Sequence, residues 1–328
     1  MPEAKPSPPL SPALADLADG DEFEGFYVVR ESSLQTAVNG RNYIRLTLAD
    51  ASGGLPGNIW DANRELFLNC QAGAIVKVQG AAESYKGKPQ VKIFRFRPAH
   101  ESEVEPDHFL PKSKRDIGAM RDELLALADG IRDPDYLALA KAFFHDPAFM
   151  DRFARSPAAR EVHHAWVGGL LEHTLGIANM AKRFAETTKV NRDLLLLGAL
   201  LHDAGKIEEF SAKTSIEYSD SGKLLGHLYL GAEMLGRRAA AIPGFPAEKL
   251  ILLQHLILSH HGRLEYGSPV LPKTPEAFAL HHLDNLDAKV ETANRLLDAI
   301  PDPDCRWSEY NRALEVSLFR AGGRRDGI

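Results

Sequence analysis

Residues 194–206 read LLLLGALLHDAGK, an apolar run that ends in a histidine, an aspartate and a nearby lysine. The run is apolar on nearly every side of a helix, so it predicts a buried central helix that ends near Gly205. Burying His202 and Asp203 at that end is costly unless both polar groups are satisfied. Metal ligation satisfies both at once. We therefore expect other parts of the chain to bring further ligands to this dipeptide.

Histidines and carboxylates recur on both sides of the dipeptide, in segments that read as helices. Because the chain has 13 histidines, chance alone could scatter some of them. The residues whose order and context favour convergence are His173, His227, His260, His261 and Asp284. Asp287 shares a helix face with Asp284, and we prefer Asp284 as the ligand. Nitrogen and carboxylate donors suit Mn²⁺, Fe²⁺, Zn²⁺ or Co²⁺, with Mn²⁺ preferred and Mg²⁺ less suited.

The region before residue 98 has the alternation of strands rather than of helices. In YIRLTL, residues 43–48, every second residue is a large aliphatic one, which is typical of a strand with one buried face. Turn-forming residues at 50–54 and 86–89 separate further strands. About five short strands in this region predict a small β-barrel, and an OB-fold is the preferred architecture.

The same region interleaves aromatic rings with lysines and arginines. Single-stranded nucleic acid is held by such a mixture, because bases stack on the rings and phosphates face the cations. For any one of these residues, a core ring or a solvated cation is the preferred interpretation; for the region as a whole, nucleic-acid binding is favoured. The candidate contacts are Tyr43, Arg45, Trp60, Tyr85, Lys86, Lys88 and Arg95.

Composition sets the class of protein. The chain has 328 residues, 44% of them hydrophobic, and a formal net charge of -6, which suits two domains and disfavours non-specific coating of nucleic acid. It has two cysteines and no long apolar run, so we expect a cytoplasmic protein without a membrane partner. The predicted divisions are a disordered leader (1–20), an OB-fold domain (21–98), a linker (99–114), a helical bridge (115–160), an all-α histidine-rich domain (161–300) and a C-terminal tail (301–328).

The order of the candidate ligands resembles that of the HD phosphohydrolase superfamily. His173, then His202–Asp203, then Asp284 is the order that names it, and the added His227 and His260–His261 resemble its two-metal members. Three stretches of sequence resemble those of the YhaM-type 3′→5′ exoribonucleases. They are HHAWVGGLLEHT (163–174), LLHDAGK (200–206) and SHHGRLEYGSPVLPKTPEA (259–277). That family also has an OB-type domain before its HD domain, and the resemblance covers about residues 22–295. It implies a multidomain α+β chain, with a small β-barrel followed by an all-α HD domain.

The resemblance also implies a mechanism. One metal ion would be held by His173, His202, Asp203 and Asp284, and a second by His227, His260 and His261, with Asp203 bridging the two. Metal-activated hydroxide would attack phosphorus in line, and Lys206 would offset charge on the phosphoryl oxygens. His164 would assist the leaving oxygen or bind the phosphate, with a structural role as its alternative.

The implied substrate is single-stranded RNA, degraded from its 3′ end, with single-stranded DNA as a second candidate. An alternative is a phosphohydrolase of small or cyclic nucleotides. Against it, the GRLEYGSP that follows His260–His261 lacks the Gly-Tyr-Pro signature of the cyclic-dinucleotide enzymes. A third option, a non-catalytic nucleic-acid-binding protein, is disfavoured by the intact ligand set. The apolar helices are also compatible with a homo-oligomer.

Overall fold

A computed structural model describes residues 11–100, 102–104, 109–159, 166–212, 216–300, 302 and 304–321. The chain forms two compact units, one of Met1–Lys112 with Ser211–Glu217 and one of Ser113–Phe210 with Tyr218–Ile328. Among the described residues, no helix combines the length and the apolar character needed to cross a membrane.

The first unit contains a closed five-stranded barrel. Its strands are β1 (Glu22–Thr36), β2 (Asn42–Asp50), β3 (Gly53–Trp60), β4 (Ile75–Tyr85) and β5 (Lys88–Pro98). They close in the order β1-β2-β3-β5-β4, with β3 and β5 parallel and the other neighbours antiparallel. A short helix, α1 (Arg64–Leu68), connects β3 to β4. The predicted OB-type barrel is therefore confirmed.

The barrel core follows the alternation read from the sequence. Ile44, Leu46 and Leu48 are buried on β2, whereas Arg45, between two of them, is exposed. The inward side chains of the strands form one apolar cluster. On β2, a period-two pattern thus places one face of the strand in the core and the other face towards the outside of the barrel.

Residues 11–20, assigned from composition to a disordered leader, pack on this barrel instead. Leu14 lies in a 3₁₀ turn, Leu14–Asp16, and is buried in the barrel core. Ser11 Oγ accepts a hydrogen bond from the Phe26 amide at 2.8 Å, and Tyr27 Oη donates to the Pro12 carbonyl at 2.9 Å. The expectation of a disordered leader rested on average composition. Composition does not reveal that a single side chain, Leu14, packs into the barrel core.

The second unit is helical. Its helices are α2 (Ile117–Asp129), α3 (Pro134–Phe144), α4 (Pro147–Arg155), α5 (Gly169–Thr187), α6 (Arg192–Leu201), α7 (Lys206–Glu209), α8 (Asp220–Ala240), α9 (Ala247–Ser259) and α10 (Pro275–Asp298). A two-stranded hairpin, β6 (Phe210–Ala212) and β7 (Ile216–Tyr218), follows α7. As predicted, α6 is central, with every residue from Leu194 to Leu201 buried.

Two helix starts depend on glycine. The α5 helix begins at Gly169, because Gly168 has φ 87° and residues 166–168 are not helical. The α8 helix contains a break at Gly226, where φ is 72° and ψ is 155°. His227 therefore opens the second segment of α8. A left-handed or extended backbone of this kind is readily adopted by glycine and sets the direction of the helix that follows it.

Candidate metal centre

Five histidine side chains and two carboxylates converge at one place in the helical unit. His173 comes from α5, His202 and Asp203 follow α6, His227 lies on α8, and His260 and His261 follow α9, with Asp284 on α10. Three groups of three have ligand atoms within 4.8 Å of one another: His173, His202 and Asp284; His227, His260 and His261; and His202, Asp203 and His260. The structure thus brings all the sequence-predicted ligands together.

The two oxygens of Asp203 face different sets of histidines. Oδ2 lies 3.5 Å from His173 Nε2 and 3.4 Å from His202 Nε2. Oδ1 lies 3.5 Å from His227 Nε2 and 3.6 Å from His260 Nε2. One buried carboxylate therefore stands between two groups of nitrogen donors, the arrangement of a ligand shared by two cations.

Each of the five histidines is held through Nδ1, on the side away from this centre. The Nδ1 atoms of three of them lie 2.8 Å from main-chain carbonyls, those of Ala199 for His202, Ile257 for His260 and Tyr266 for His261. Because a carbonyl can only accept, Nδ1 carries the hydrogen and Nε2 presents its lone pair. Main-chain carbonyls therefore fix the tautomer in which Nε2 is available to a metal ion.

Carboxylates hold the other two histidines in the same way. Asp287 Oδ2 lies 2.8 Å from His173 Nδ1, and Glu209 Oε1 lies 3.0 Å from His227 Nδ1. Glu209 also accepts from the His227 amide at 3.0 Å. Such partners orient ligating histidines and raise their basicity.

The structure separates the two aspartates of α10. Asp284 Oδ1 lies 3.2 Å from His173 Nε2, on the inner side, whereas Asp287 contacts Nδ1 of the same ring. Asp284 is thus placed among the candidate ligands and Asp287 behind them. The two aspartates lie about one helical turn apart. Their spacing in the sequence alone did not show which of them faces the candidate ligands.

Lys206 lies inside the centre rather than at its rim. Its Nζ is 2.6 Å from Asp203 Oδ2, and the side chain is buried. Burial lowers the pKa of Lys206, but the charge of Asp203 outweighs this effect and raises the pKa overall. Lys206 is therefore a fixed positive charge against the shared carboxylate.

Burial and neighbouring charge set the protonation of the remaining groups. Burial lowers the pKa of His260 well below 6.5, and it also lowers the pKa of His261. Burial has the same effect on His173, but hydrogen bonds with Asp284 and Asp287 outweigh it and raise its pKa to about 9. Burial raises the pKa of Asp203, yet Lys206 and the surrounding histidines bring it well below 3.8.

The donor set fits divalent cations. Among the described residues, Asp203 Oδ1 and His227 Nε2 are buried side-chain atoms without a hydrogen-bond partner, which is costly unless a ligand satisfies them. His173 Nε2 and His202 Nε2 also lie only 3.2 Å apart. Two ligand carboxylates and the two behind them outnumber the single lysine, so cations would balance the charge.

Close packing of helices fixes the position of His227. A Cβ atom on Gly205 would lie 2.1 Å from the His227 carbonyl oxygen and 2.6 Å from the Gly231 amide nitrogen. Gly205 therefore allows the chain after the His202–Asp203 pair to approach α8. His164, the candidate general acid or phosphate ligand, lies outside the described residues.

The candidate nucleic-acid contacts fall into two places on the barrel. Trp60 and Arg95 line a groove of about 650 Å³, and Tyr43 stacks on Trp60 with ring centroids 5.0 Å apart. Arg45 is exposed on β2, and the β4–β5 turn carries Tyr85, Lys86 and Lys88. The turn residues do not line that groove.

Sequence reasoning missed two residues that the structure brings forward. Glu209 was not singled out, although a buried glutamate in the GKIEEF segment is itself unusual. Phe94 is half exposed and lines the groove beside Arg95, in the alternating stretch FRFR. Only the folded structure shows that Glu209 is buried and that Phe94 is exposed, so the sequence alone did not distinguish either residue.

Known proteins resemble this chain along most of its length. The HD domain family matches residues 170–289. The 3′-5′ exoribonuclease YhaM of Bacillus subtilis (strain 168) is 35% identical over 304 residues, covering 92% of this chain and 95% of that protein. The protein of the same name from Oceanobacillus iheyensis is 34% identical over 283 residues, covering 86% and 88%.

Among solved structures, the second OB-fold domain of replication protein A from Methanococcus maripaludis is similar at 15% identity and a TM-score of 0.22, covering 27% of this chain and 93% of that one. The relatives in sequence are matched over most of both chains. This chain belongs to the family of the YhaM 3′-5′ exoribonucleases.

Proposed function

We propose that this chain is a metal-dependent 3′→5′ exoribonuclease that binds two divalent cations at the converging histidines. The observation that carries the proposal is the placement of Asp203, whose two carboxylate oxygens face separate sets of histidine nitrogens. Phosphodiester-cleaving sites commonly use two cations that share a ligand. Membership of an exoribonuclease family supports the same activity.

The residues that would hold the cations divide at Asp203. The first set is His173, His202, Asp203 and Asp284, and the second is His227, His260 and His261, with Asp203 shared. Cations held there would lower the pKa of a bound water and offset negative charge on phosphoryl oxygens. Imidazole and carboxylate ligands without a thiolate are compatible with Mn²⁺, Fe²⁺, Zn²⁺ or Co²⁺, and Mn²⁺ is the cation that we propose first.

The protein itself contributes preorganisation. Nδ1 hydrogen bonds hold the five histidine rings before substrate arrives, so little reorganisation is needed when charge develops. Lys206 would keep Asp203 ionised and add positive charge where phosphoryl oxygens approach. His164, as acid or phosphate ligand, stays a prediction.

The barrel would supply affinity for the single strand. Of the cations that line its groove, Lys77 pairs with Glu24 and Arg97 with Glu103, whereas Arg95 has no ion pair among the described residues. Arg95, beside the exposed rings of Trp60 and Phe94, offers a cation and stacking faces together. This combination suits a strand bound without regard to sequence, RNA first and DNA second.

Three further expectations belong to this proposal. Arg45 and the turn residues Tyr85, Lys86 and Lys88 would extend the strand-binding surface beyond the groove. Two unpaired cysteines suit a cytoplasmic protein. A homo-oligomer is compatible with the apolar helices.

The test is degradation of a 5′-labelled single-stranded RNA with added Mn²⁺, beside an Asp203→Ala variant. We expect a ladder that shortens from the 3′ end with wild type and no ladder with the variant. Cyclic dinucleotides and mononucleotides are assayed in parallel. Turnover of these small nucleotides without strand cleavage would contradict the proposal and favour a small-nucleotide phosphohydrolase. Cleavage by the variant at the wild-type rate would place the chemistry elsewhere.

A further inference from the structure

A short loop follows the His260–His261 pair and packs against the metal centre. The loop, residues 262–268, begins at Gly262, which has φ 75° and whose Cβ would lie 2.2 Å from His281 Cε1. His281 Nδ1 donates to the His260 carbonyl at 2.8 Å. His261 Nδ1 donates to the Tyr266 carbonyl at 2.8 Å. The loop is therefore built onto two candidate ligands, His260 and His261.

Main-chain hydrogen bonds make the same loop compact. The Tyr266 and Ser268 amides both donate to the Arg263 carbonyl at 3.2 Å, and the Gly267 amide donates to the Leu264 carbonyl at 3.0 Å. Gly267 has φ 89°, which closes the turn. A turn fixed in this way holds its outward side chains at set positions beside the metal centre.

Two of those side chains have the chemistry to bind a nucleotide. Tyr266 is 61% exposed, so much of its side chain is accessible to a ligand. The Arg263 guanidinium lies 5.9 Å from the centroid of that ring, and it has neither an ion pair nor a side-chain hydrogen bond within the part of the chain that the structure describes. An exposed ring and an unpaired guanidinium thus stand together next to a metal-binding histidine.

We propose that Tyr266 and Arg263 form a nucleotide clamp, in which Tyr266 stacks on a base that flanks the scissile phosphate and Arg263 contacts the adjoining phosphate. This inference rests on the proposed exoribonuclease function and names the subsite that aligns its substrate. Stacking accepts any base, because every base has a π-face. The clamp would therefore hold the end of the strand in register without selecting a sequence.

Truncation of Tyr266 separates this role from support of the metal centre. Tyr266 contacts His261 through its main-chain carbonyl, so Tyr266→Ala removes the ring and leaves that hydrogen bond in place. Tyr266→Phe keeps a stacking face. Leu264→Ala is the matched control, since Leu264 is 59% exposed in the same loop but has no ring.

The experiment uses the full chain with Mn²⁺ and oligoribonucleotides that carry an abasic residue at the last or the penultimate position. We expect Tyr266→Ala to lower kcat/KM on the intact strand by about 5- to 150-fold. On the strand whose missing base is the one that stacks, the variant and the wild type should be equal. Tyr266→Phe and Leu264→Ala should match the wild type on every substrate.

Arg263 gives an independent arm. Arg263→Ala should raise KM about tenfold with kcat little changed, and the loss should shrink as salt rises, because a phosphate contact is screened. Arg263→Lys should restore part of the affinity through its charge.

The outcomes distinguish this clamp from the proposed function. If the wild type cleaves no RNA, both proposals are overturned. If the wild type cleaves RNA, but Tyr266→Ala lowers kcat/KM equally on intact strands and on both abasic strands, the ring only supports the fold and the clamp alone is overturned. An unchanged Tyr266→Ala variant overturns the clamp as well.

Discussion

At the residue scale, the two nitrogens of each candidate ligand histidine have different partners. Nε2 faces the shared aspartate or its neighbours, while Nδ1 faces a carbonyl or a carboxylate. The carbonyl partners belong to the backbone and do not change with side-chain substitution. The carboxylate partners, Asp287 and Glu209, can be removed one at a time, so they make the orientation of the histidines testable.

We expect Glu209→Ala to weaken metal binding and activity by about 10- to 100-fold, because His227 loses the acceptor that fixes its ring. Activity measured across a metal titration should shift to higher metal concentration. Glu208→Ala is the matched control, since the neighbouring Glu208 is partly exposed and lies 3.8 Å from Arg237. Equal effects of the two substitutions would contradict an orienting role for Glu209.

A second prediction at this scale concerns the cysteines. Cys70 is buried, its Sγ lies 3.1 Å from the Leu66 carbonyl, and burial raises its pKa to about 11. Cys305 is exposed. A thiol reagent at neutral pH should therefore modify Cys305 in the native protein and both cysteines in denaturant. Rapid modification of Cys70 in the native protein would contradict the packing of the barrel core.

At this scale the sequence predicts the candidate ligands, which the structure brings together, but not the residues behind them. His202 and Asp203 were recognisable because they end an apolar run. Polar groups buried at that position need a ligand or a hydrogen-bond partner. Glu209 is informative only when its distance to His227 is known. Asp284 and Asp287 share a face in sequence, and their roles separate only once the position of the His173 ring between them is fixed.

At the scale of elements, α7 and α8 meet at a point that excludes a side chain. We expect Gly205→Ala to destabilise the protein by about 1–3 kcal/mol and to lower activity, because the added methyl group would push on the His227 carbonyl. Urea unfolding measures the first effect, and RNA cleavage the second.

Gly236→Ala is the control for that substitution. Gly236 lies within α8, and its Cβ would meet only Gln254 Nε2, at 3.4 Å. Alanine there should be neutral or stabilise the helix by roughly 0.5–1 kcal/mol. A Gly205→Ala variant as stable and active as the Gly236→Ala variant would contradict the close approach.

Elements with strong local signals were predictable. The alternation along β2 and the aspartates before Pro134 and Pro147 correspond to a strand and to two capped helix starts. The start of α5 was not predictable from the sequence. The helical spacing of apolar residues continues upstream of Gly168, whereas in the structure Gly168 adopts φ 87° and the helix begins after it. Likewise, nothing local indicates that Leu14 packs into a barrel.

At the scale of the whole molecule, we propose that strand binding and hydrolysis belong to different units. We expect a Trp60→Ala, Arg95→Ala double variant to bind single-stranded RNA at least about tenfold more weakly while cleaving a dinucleotide at the wild-type rate. Fluorescence anisotropy across salt concentrations measures binding, and the slope of log affinity should fall in magnitude by about one.

Lys141→Ala, which removes an exposed cation of α3, is the control for charge alone. An equal loss of affinity in that variant would mean that net charge rather than the groove holds the strand. A loss of dinucleotide cleavage in the groove variant would contradict the division of roles between the units.

The central claim is that Asp203 is shared by two cations, and metal content per chain tests it most directly. Protein loaded with Mn²⁺ and freed of excess metal should retain about two ions per wild-type chain. Asp203→Ala, with its fold verified by circular dichroism, should retain fewer than one and cleave no RNA, because both sets of histidines lose the ligand between them. Two ions retained by the variant, or a single ion in a fully active wild type, would contradict the account.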